Sequence, residues 1–467
     1  MSWGPAVPHA LGQDMFLAIS GVALLIVGWT RLARARPAEE HKRGVVVSEE
    51  TSHVDRRRVR ESRHDLTLAG EKVAFLDETK HFKLIGTTGT GKSTAIRELL
   101  GAALARGDRA IVADPDGGYR DRFYNRYRGD VVMNPFERDS VTWDPFAELI
   151  DPYDIEELTA GLIPTTGDAG TNEWREYART FLTAVLRRCL IDERRSCAEL
   201  WRLLSLASTE ELRRVVDNTP AQSFLDPDNA RMFGSIRSVT MSAIVALGHI
   251  RVQRSTPFSV RSWVRARPGP GVLFIPYRAG QIAALRSMIA TWMRIAIFEA
   301  MNAEEDRDQR LWFVIDELDA LGAIEGLKDA LARLRKFGGR CVLGFQSIAQ
   351  VSGTYGAAAA QTIVENCSNT LILRCSSSEN GGTAQFASKL IGEREVIRRQ
   401  TSRGSDRESG FSARGGRRSK NISEQHVIEA AVMPSQIEQL PDLCGYLKLV
   451  SSPHWRKVAF GHGARAS

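Results

Sequence analysis

Short, predominantly apolar runs recur along this chain, each closed by a polar residue or a turn former. They fall at 81–85 (HFKLI), 111–113 (IVA, then Asp114), 271–275 (GVLFI), 311–315 (LWFVI, then Asp316), 342–345 (VLGF, then Gln346), 371–373 (LIL, then Arg374) and 446–450 (YLKLV). A run without period-2 alternation is the pattern of a strand covered on both faces, as in a parallel sheet. Helix-period segments lie between several of them: 94–100, 281–301, and a stretch with Leu327, Ala330, Leu331, Leu334 and Phe337 on one face. Strand and helix in alternation predict an α/β domain built on a mainly parallel sheet.

From 151 to 255 the pattern changes to helices alone. Residues 174–191 read as a long amphipathic helix, 208–211 (STEE) as a capping box opening another, and 231–247 as a third. This stretch is expected to be an all-alpha insertion. The predicted organisation is an anchor over 1–32, a charged cytoplasmic linker over 33–62, a first part of a nucleotide-binding domain over 63–150, the all-alpha domain over 151–257, and the second part over 258–467.

The anchor rests on residues 16–32 (FLAISGVALLIVGWTRL), an apolar run broken by Arg31 and just long enough to cross a bilayer. A cleaved leader is the alternative, and Ala33-Arg34-Ala35 offers a nominal cleavage site. Residues 1–14 contain no Lys or Arg, however, and the positive charges (Arg31, Arg34, Arg36, Lys42, Arg43) all follow the run. Positive charge on the inner flank orients the rest of the chain towards the cytoplasm. The linker with its Arg56-Arg57-Arg58 is expected to be a flexible tether, lying on anionic lipid or merely solvated.

Composition excludes little. The 467 residues carry 63 Lys and Arg against 56 Asp and Glu, a net charge of +7, compatible with nucleic acid or anionic lipid without demanding either. Cys189, Cys197, Cys341, Cys367, Cys375 and Cys444 show no metal-binding spacing and are expected to be free thiols buried as small apolar residues. Residues 394–420 hold nine basic residues against three acidic ones among Ser and Gly, and are expected to form a mobile loop. Tracking a phosphate backbone and simple solvation are both open readings of it.

The chemistry lies at two strand ends. Residues 86–93 read Gly86-Thr87-Thr88-Gly89-Thr90-Gly91-Lys92-Ser93, the GxxxxGK[ST] pattern, with a strand before it and, from Thr94, a helix after it. Glycines let such a loop wrap closely and aim N–H groups at phosphate oxygens, and the helix amino terminus adds positive potential. Lys92 is the expected phosphate cation and Ser93 the expected Mg²⁺ ligand of a bound ATP. Asp316, ending the all-apolar strand, is expected to hold Mg²⁺ through water. The adjacent Glu317 is expected to activate the attacking water, which favours a hydrolase over a nucleotide kinase. Gln346, at the end of the next strand, is placed to sense the γ-phosphate.

At this point the sequence resembles a known family. The segments KHFKLIGTTGTGKSTAIRELL, RAIVADPDGGYRDRFY, NPFERDSVTWDPFAEL, GSIRSV, LWFVIDELDALG, GFQSIAQV and QLPDLCGYLKL are similar to those of type IV secretion coupling proteins, the TraD/TrwB family, over roughly 66–458. The resemblance implies a RecA-like P-loop ATPase domain with an all-alpha insertion behind an amino-terminal transmembrane helix. It also implies a homohexamer in the bacterial inner membrane with ATP between subunits and DNA in a central channel. Lys92, Ser93, Asp316, Glu317 and Gln346 fall on the family's nucleotide site, and Arg335, in LARLRKFGG, on its trans-acting arginine finger. The implied partners are single-stranded DNA, relaxase and relaxosome proteins, inner-membrane secretion components and the membrane. Such proteins usually have two membrane helices where this sequence shows one, and no long acidic tail is visible.

Two other functions compete with a conjugative coupling ATPase. A double-stranded DNA pump of the FtsK/HerA kind should carry a winged-helix module after the motor, and the sequence ends soon after its last sheet-like segment. A scaffold that binds ATP without turnover is disfavoured by the complete set Lys92, Asp316 and Glu317.

Overall fold

The computed structural model describes residues 39–52, 65–405 and 418–461, apart from 166–168, 254, 267–268, 270, 303, 307–308 and 380. The proposed anchor helix at 16–32, the basic cluster at 56–58, and Arg414 and Arg417 lie outside these residues. Among the described residues no helix is long and apolar enough to cross a membrane.

Among the described residues the seven runs lie in one ten-stranded sheet, which also takes in Val47–Ser52, Trp455–Ala459 and Val131–Val132. From edge to edge its order is Val47–Ser52, Trp455–Ala459, Cys444–Lys448, Asn369–Ile372, Phe82–Ile85, Gly339–Phe345, Leu311–Ile315, Arg109–Pro115, Val272–Tyr277 and Val131–Val132. The seven strands from Asn369–Ile372 to Val131–Val132 are mutually parallel, and Cys444–Lys448 is antiparallel to both of its neighbours. Every residue of Phe82–Ile85, Leu311–Ile315, Gly339–Phe345 and Val272–Tyr277 is buried. That is why these strands carry no polar alternation. One face packs Phe82, Leu84, Val112, Phe274, Trp312 and Val342 against Ile96, Leu99 and Leu100 of the helix Lys92–Ala105.

Between Val131–Val132 and Val272–Tyr277 stand the helices Asp154–Leu162, Ala169–Ile191, Cys197–Ser205, Thr209–Val215, Ala230–Ile244 and Leu247–Ile250. Ser208 caps its helix by accepting the Glu211 N–H at 3.1 Å, while the Glu211 carboxylate turns to Arg202 at 2.7 Å. The anticipated capping box is therefore half formed, because a guanidinium competes for its second carboxylate.

Three expectations need correction. The stretch 394–420 is not a loop throughout: Glu393–Ser405 and Arg418–Ala430 pair antiparallel over their whole lengths, and Glu39–Gly44 adds a third strand. Residues 39–45 and 392–431 make up a compact unit of their own. Opposite charges meet across these strands, with Glu429 taking Arg394 at 2.9 Å and Arg398 at 2.5 Å, Glu424 taking Arg399 at 2.8 Å, and Glu395 taking Lys42 at 3.0 Å. Cross-strand ion pairs of this kind stabilise a ribbon that buries little apolar surface. The linker likewise contains strands, Glu39–Gly44 and Val47–Ser52. The last sheet-like segment is Cys444–Lys448 followed by Trp455–Ala459, whose polar residues Arg456 and Lys457 hid it from the apolar pattern. All six cysteines are free, four of them buried and Cys197 and Cys444 half-buried.

Candidate nucleotide site

The P-loop strand Phe82–Ile85 lies between Asn369–Ile372 and Gly339–Phe345, and both neighbours hold the loop that leaves it. Gly86 N–H donates to Phe345 O at 3.3 Å, and Thr87 N–H donates to Arg374 O at 2.9 Å. Gly89 and Gly91 have φ of +77° and +118°, a region costly for other residues. The turn they allow starts the helix at Lys92. No hydrogen bond to the chain is made by the N–H groups of Gly89, Gly91, Lys92 and Ser93 among the described residues. Thr90 Oγ1 closes the loop on Thr87 O at 2.7 Å, and Leu443 N–H donates to Thr90 O at 2.9 Å. Thr94 is half-buried on the first turn.

Lys92 is buried, with Nζ donating to Gly86 O at 2.7 Å and Thr87 O at 3.2 Å. Burial pushes its pKa down, and the charges of Asp316 and Glu317 oppose that shift. Ser93 Oγ donates to Asp316 Oδ2 at 2.7 Å, so the loop and the end of Leu311–Ile315 meet directly. The strand between them, Gly339–Phe345, delivers Gln346 to the same place. Gln346 accepts from Thr88 Oγ1 at 2.8 Å and donates to Glu317 Oε1 at 3.1 Å. A continuous relay thus runs from the loop through Gln346 to Glu317. Glu317 is half-buried; burial first, then Asp316 and Asp319, raise its pKa, while the Gln346 amide and Lys92 lower it.

Three further residues belong here, of which the sequence pattern marked only Asp114, as the polar end of its strand. Tyr119 OH donates to Asp316 Oδ2 at 2.7 Å, alongside the Ser93 hydroxyl. Asp114 sets that approach: its carboxylate accepts the N–H groups of Tyr119 at 3.0 Å and Arg120 at 2.7 Å, capping Gly118–Phe123. Burial, partly offset by those two bonds, pushes Asp114 up to about 6. The Asp-Pro-Asp-Gly-Gly turn after an apolar strand was the available signal. Gly344 is the third. A Cβ there would lie 2.3 Å from Asp316 O and 3.1 Å from Asp316 Oδ1. Gly344→Ala is therefore expected to push the two strands apart and cost about 1–3 kcal/mol. A thermal melt checks the stability, and nucleotide binding with and without Mg²⁺ checks the displacement of Asp316.

The residues fit a magnesium nucleotide. Asp316 Oδ1 is buried without a hydrogen-bond partner beside the Ser93 hydroxyl. Among the described residues no group of three His, Cys, Asp or Glu could hold a metal alone. A cation here would thus share one carboxylate, one hydroxyl and phosphate oxygens, the usual environment of Mg²⁺.

Arg335 is not brought to this site in its own chain. It is exposed at the end of the helix Leu327–Leu334, before the strand Gly339–Phe345 begins. Seven strand residues at about 3.3 Å each separate it from Gln346, on the order of 23 Å. The helix that carries it is tied to the P-loop strand through His81. His81 Nδ1 accepts the Cys341 N–H at 3.1 Å, and Nε2 donates to Leu331 O at 2.9 Å. Burial depresses His81 to about 4, so it is neutral and keeps this tautomer.

The family described as the type IV secretion-system coupling protein DNA-binding domain matches residues 66–460. Coupling protein TraD of Escherichia coli (strain K12) is 29% identical over 452 residues, which are 94% of this chain and 61% of TraD. This chain therefore spans less than two thirds of that relative. The structure of plasmid coupling protein TrwB in complex with the non-hydrolysable ATP analogue ADPNP superposes with a TM-score of 0.77 at 28% identity, covering 92% of this chain and 96% of that one. TrwB in complex with ADP and Mg²⁺ gives 0.76 at 29% identity, covering 90% and 94%. The sheet with its helical insertion is thus the RecA-like fold of TrwB.

Proposed function

We propose, since this chain belongs to the family of type IV secretion-system coupling proteins, that it is an ATP hydrolase that moves DNA into a type IV secretion channel during conjugation. The observation that carries this reading is the convergence of Ser93 and Tyr119 on Asp316 and of Thr88 and Glu317 on Gln346. The nucleotide complexes of TrwB support ATP and Mg²⁺ as what the site takes.

In this reading the N–H groups of residues 86–94 and the Lys92 ammonium bind phosphate oxygens. Ser93 and Asp316 would hold Mg²⁺, whose charge would offset the charge developing on the phosphate. Glu317 orients the attacking water and receives its proton, and Gln346 reports the state of the phosphate end to Glu317. Arg335 serves the neighbouring subunit's site, which requires a ring assembly; a homohexamer fits the family. The assembly is anchored in the inner membrane by residues 16–32 with its bulk in the cytoplasm, and it receives relaxase-bound single-stranded DNA. The domain division set out above follows the same reading, with 392–431 as a separate ribbon.

Hydrolysis of ATP by the full-length chain, measured with single-stranded and duplex DNA in parallel, tests the proposal. Stimulation by single strands is expected. Stimulation by duplex alone would move the reading to a double-stranded DNA pump of the FtsK/HerA kind, and turnover indifferent to DNA would end both. Binding should also be insensitive to sequence and fall steeply with salt, because phosphates supply most of the affinity. Titration of a labelled oligonucleotide at several ionic strengths checks this, and an affinity flat in salt would contradict it.

A further inference from the structure

A cleft of about 510 Å³ opens where the helical insertion meets the helix Ile282–Met301 and the segments 321–323 and 353–354, with no P-loop residue in its lining. That volume lies inside the roughly 300–1,000 Å³ range of ligand sites. Its charged lining is unbalanced: Arg175 and Arg286 face it, and no carboxylate lines it among the described residues. Ser242, Thr165 and Thr354 add hydroxyls.

Among the described residues neither guanidinium has an ion-pair partner. Arg175 gives one hydrogen bond, to Pro164 O at 2.9 Å, and its Nε is buried without a partner. Burial and the like charge of Arg179 both work against its cation. The stem of Arg286 is braced against Gly322, where a Cβ would come within 3.0 Å of Arg286 Cδ. That brace leaves the exposed guanidinium free of any ion pair among the described residues. An aromatic face stands beside the two cations. Trp174 is 37% exposed and sits edge-on to Tyr177 at 5.9 Å, which in turn packs against Phe224 at 5.5 Å.

The floor of the cleft connects to the ATP site. Leu321, Gly322 and Ala323 follow Asp316 and Glu317 in the chain, and Gly353 and Thr354 end the helix Ile348–Tyr355 that starts just after Gln346. Tyr355 OH joins these two walls, accepting from Ile324 N–H at 3.2 Å and donating to Gly322 O at 3.4 Å. Glu325 ties the same loop to the insertion by accepting Thr165 N–H at 3.2 Å and the Arg179 guanidinium.

We propose that this cleft holds one unpaired nucleotide of a DNA strand, its phosphate between Arg175 and Arg286 and its base on Trp174. The inference rests on the DNA-translocating reading above and locates a contact for it. A paired base offers no free face to Trp174, so the site selects single strands. Its floor is built from the segments that follow Glu317 and Gln346, so an occupied cleft biases the positions of both.

Anisotropy of a fluorescein-labelled thymidine oligonucleotide, titrated with full-length protein from low to moderate salt, tests the assignment. Trp174→Ala should weaken binding about 5- to 100-fold, the worth of one base–aromatic stack. Trp174→Phe keeps a stacking face and should retain most of the affinity, which separates stacking from misfolding. Arg175→Gln and Arg286→Gln should each lower the salt slope by about 0.7, and Arg195→Gln, exposed elsewhere on the insertion, should leave it unchanged. Wild-type protein that binds the strand while Trp174→Ala and both arginine variants match it overturns this inference alone. Wild-type protein that binds neither strand form overturns the DNA-translocating reading, and the inference with it. If the arginine variants lose affinity for polyglutamate as well while Trp174→Ala is silent, the cleft belongs to an acidic polypeptide and the nucleotide assignment is wrong.

Discussion

Glu317→Gln should keep ATP binding near the wild-type level and slow hydrolysis by about 10²- to 10⁴-fold, the usual contribution of a positioned general base. Binding is expected to survive because the substitution leaves the loop N–H groups, Lys92 and the Ser93–Asp316 contact untouched. Lys92→Ala, by contrast, should lose hydrolysis and most nucleotide affinity together. The pH profile gives an independent reading. As a general base Glu317 would act as the carboxylate, and burial with Asp316 nearby raises its pKa. Turnover should thus fall as pH drops through that raised value, at a higher pH than a solvent-exposed glutamate would give, and the residual activity of Glu317→Gln should lack this limb. Nucleotide binding measured beside single-turnover hydrolysis separates the two effects. A Gln variant that no longer binds ATP would make Glu317 a structural residue.

What could be read from the sequence was what is local along the chain. The P-loop is eight contiguous residues, and Asp316 announces itself by ending a strand apolar on both faces. Gln346 could be placed because its strand, Gly339–Phe345, follows the same pattern. Tyr119 could not be found this way, since its contact with Asp316 spans 197 residues and depends on the short helix that Asp114 caps. The ribbon of Glu393–Ser405 and Arg418–Ala430 was misread for a related reason. Its charges look like solvated polar chain until Arg394 and Arg398 are seen opposite Glu429. The cleft at Trp174 draws its lining from several separate segments, so no single window of sequence displays it.

Arg335→Ala should bind ATP normally and hydrolyse it on the order of 10³-fold more slowly, the low end of what an arginine finger contributes. The strand Gly339–Phe345, about 23 Å of extended chain, lies between Arg335 and Gln346 in one subunit, which argues against a role for Arg335 at its own subunit's γ-phosphate. Its exposure leaves the guanidinium available to such a neighbour, and Leu331 O, one turn earlier, is fixed by His81 at the start of the P-loop strand. A finger at Arg335 would thereby be tied, through His81, to the P-loop strand of its own subunit. Mixing gives the decisive measurement. Arg335→Ala subunits keep a complete P-loop and Lys92→Ala subunits keep the finger, so hybrid rings contain interfaces with both. Two inactive proteins should then recover part of the wild-type hydrolysis when co-assembled, with a maximum at intermediate mixing ratios. Co-assembled rings that stay inactive at every ratio would remove Arg335 from the neighbour's site.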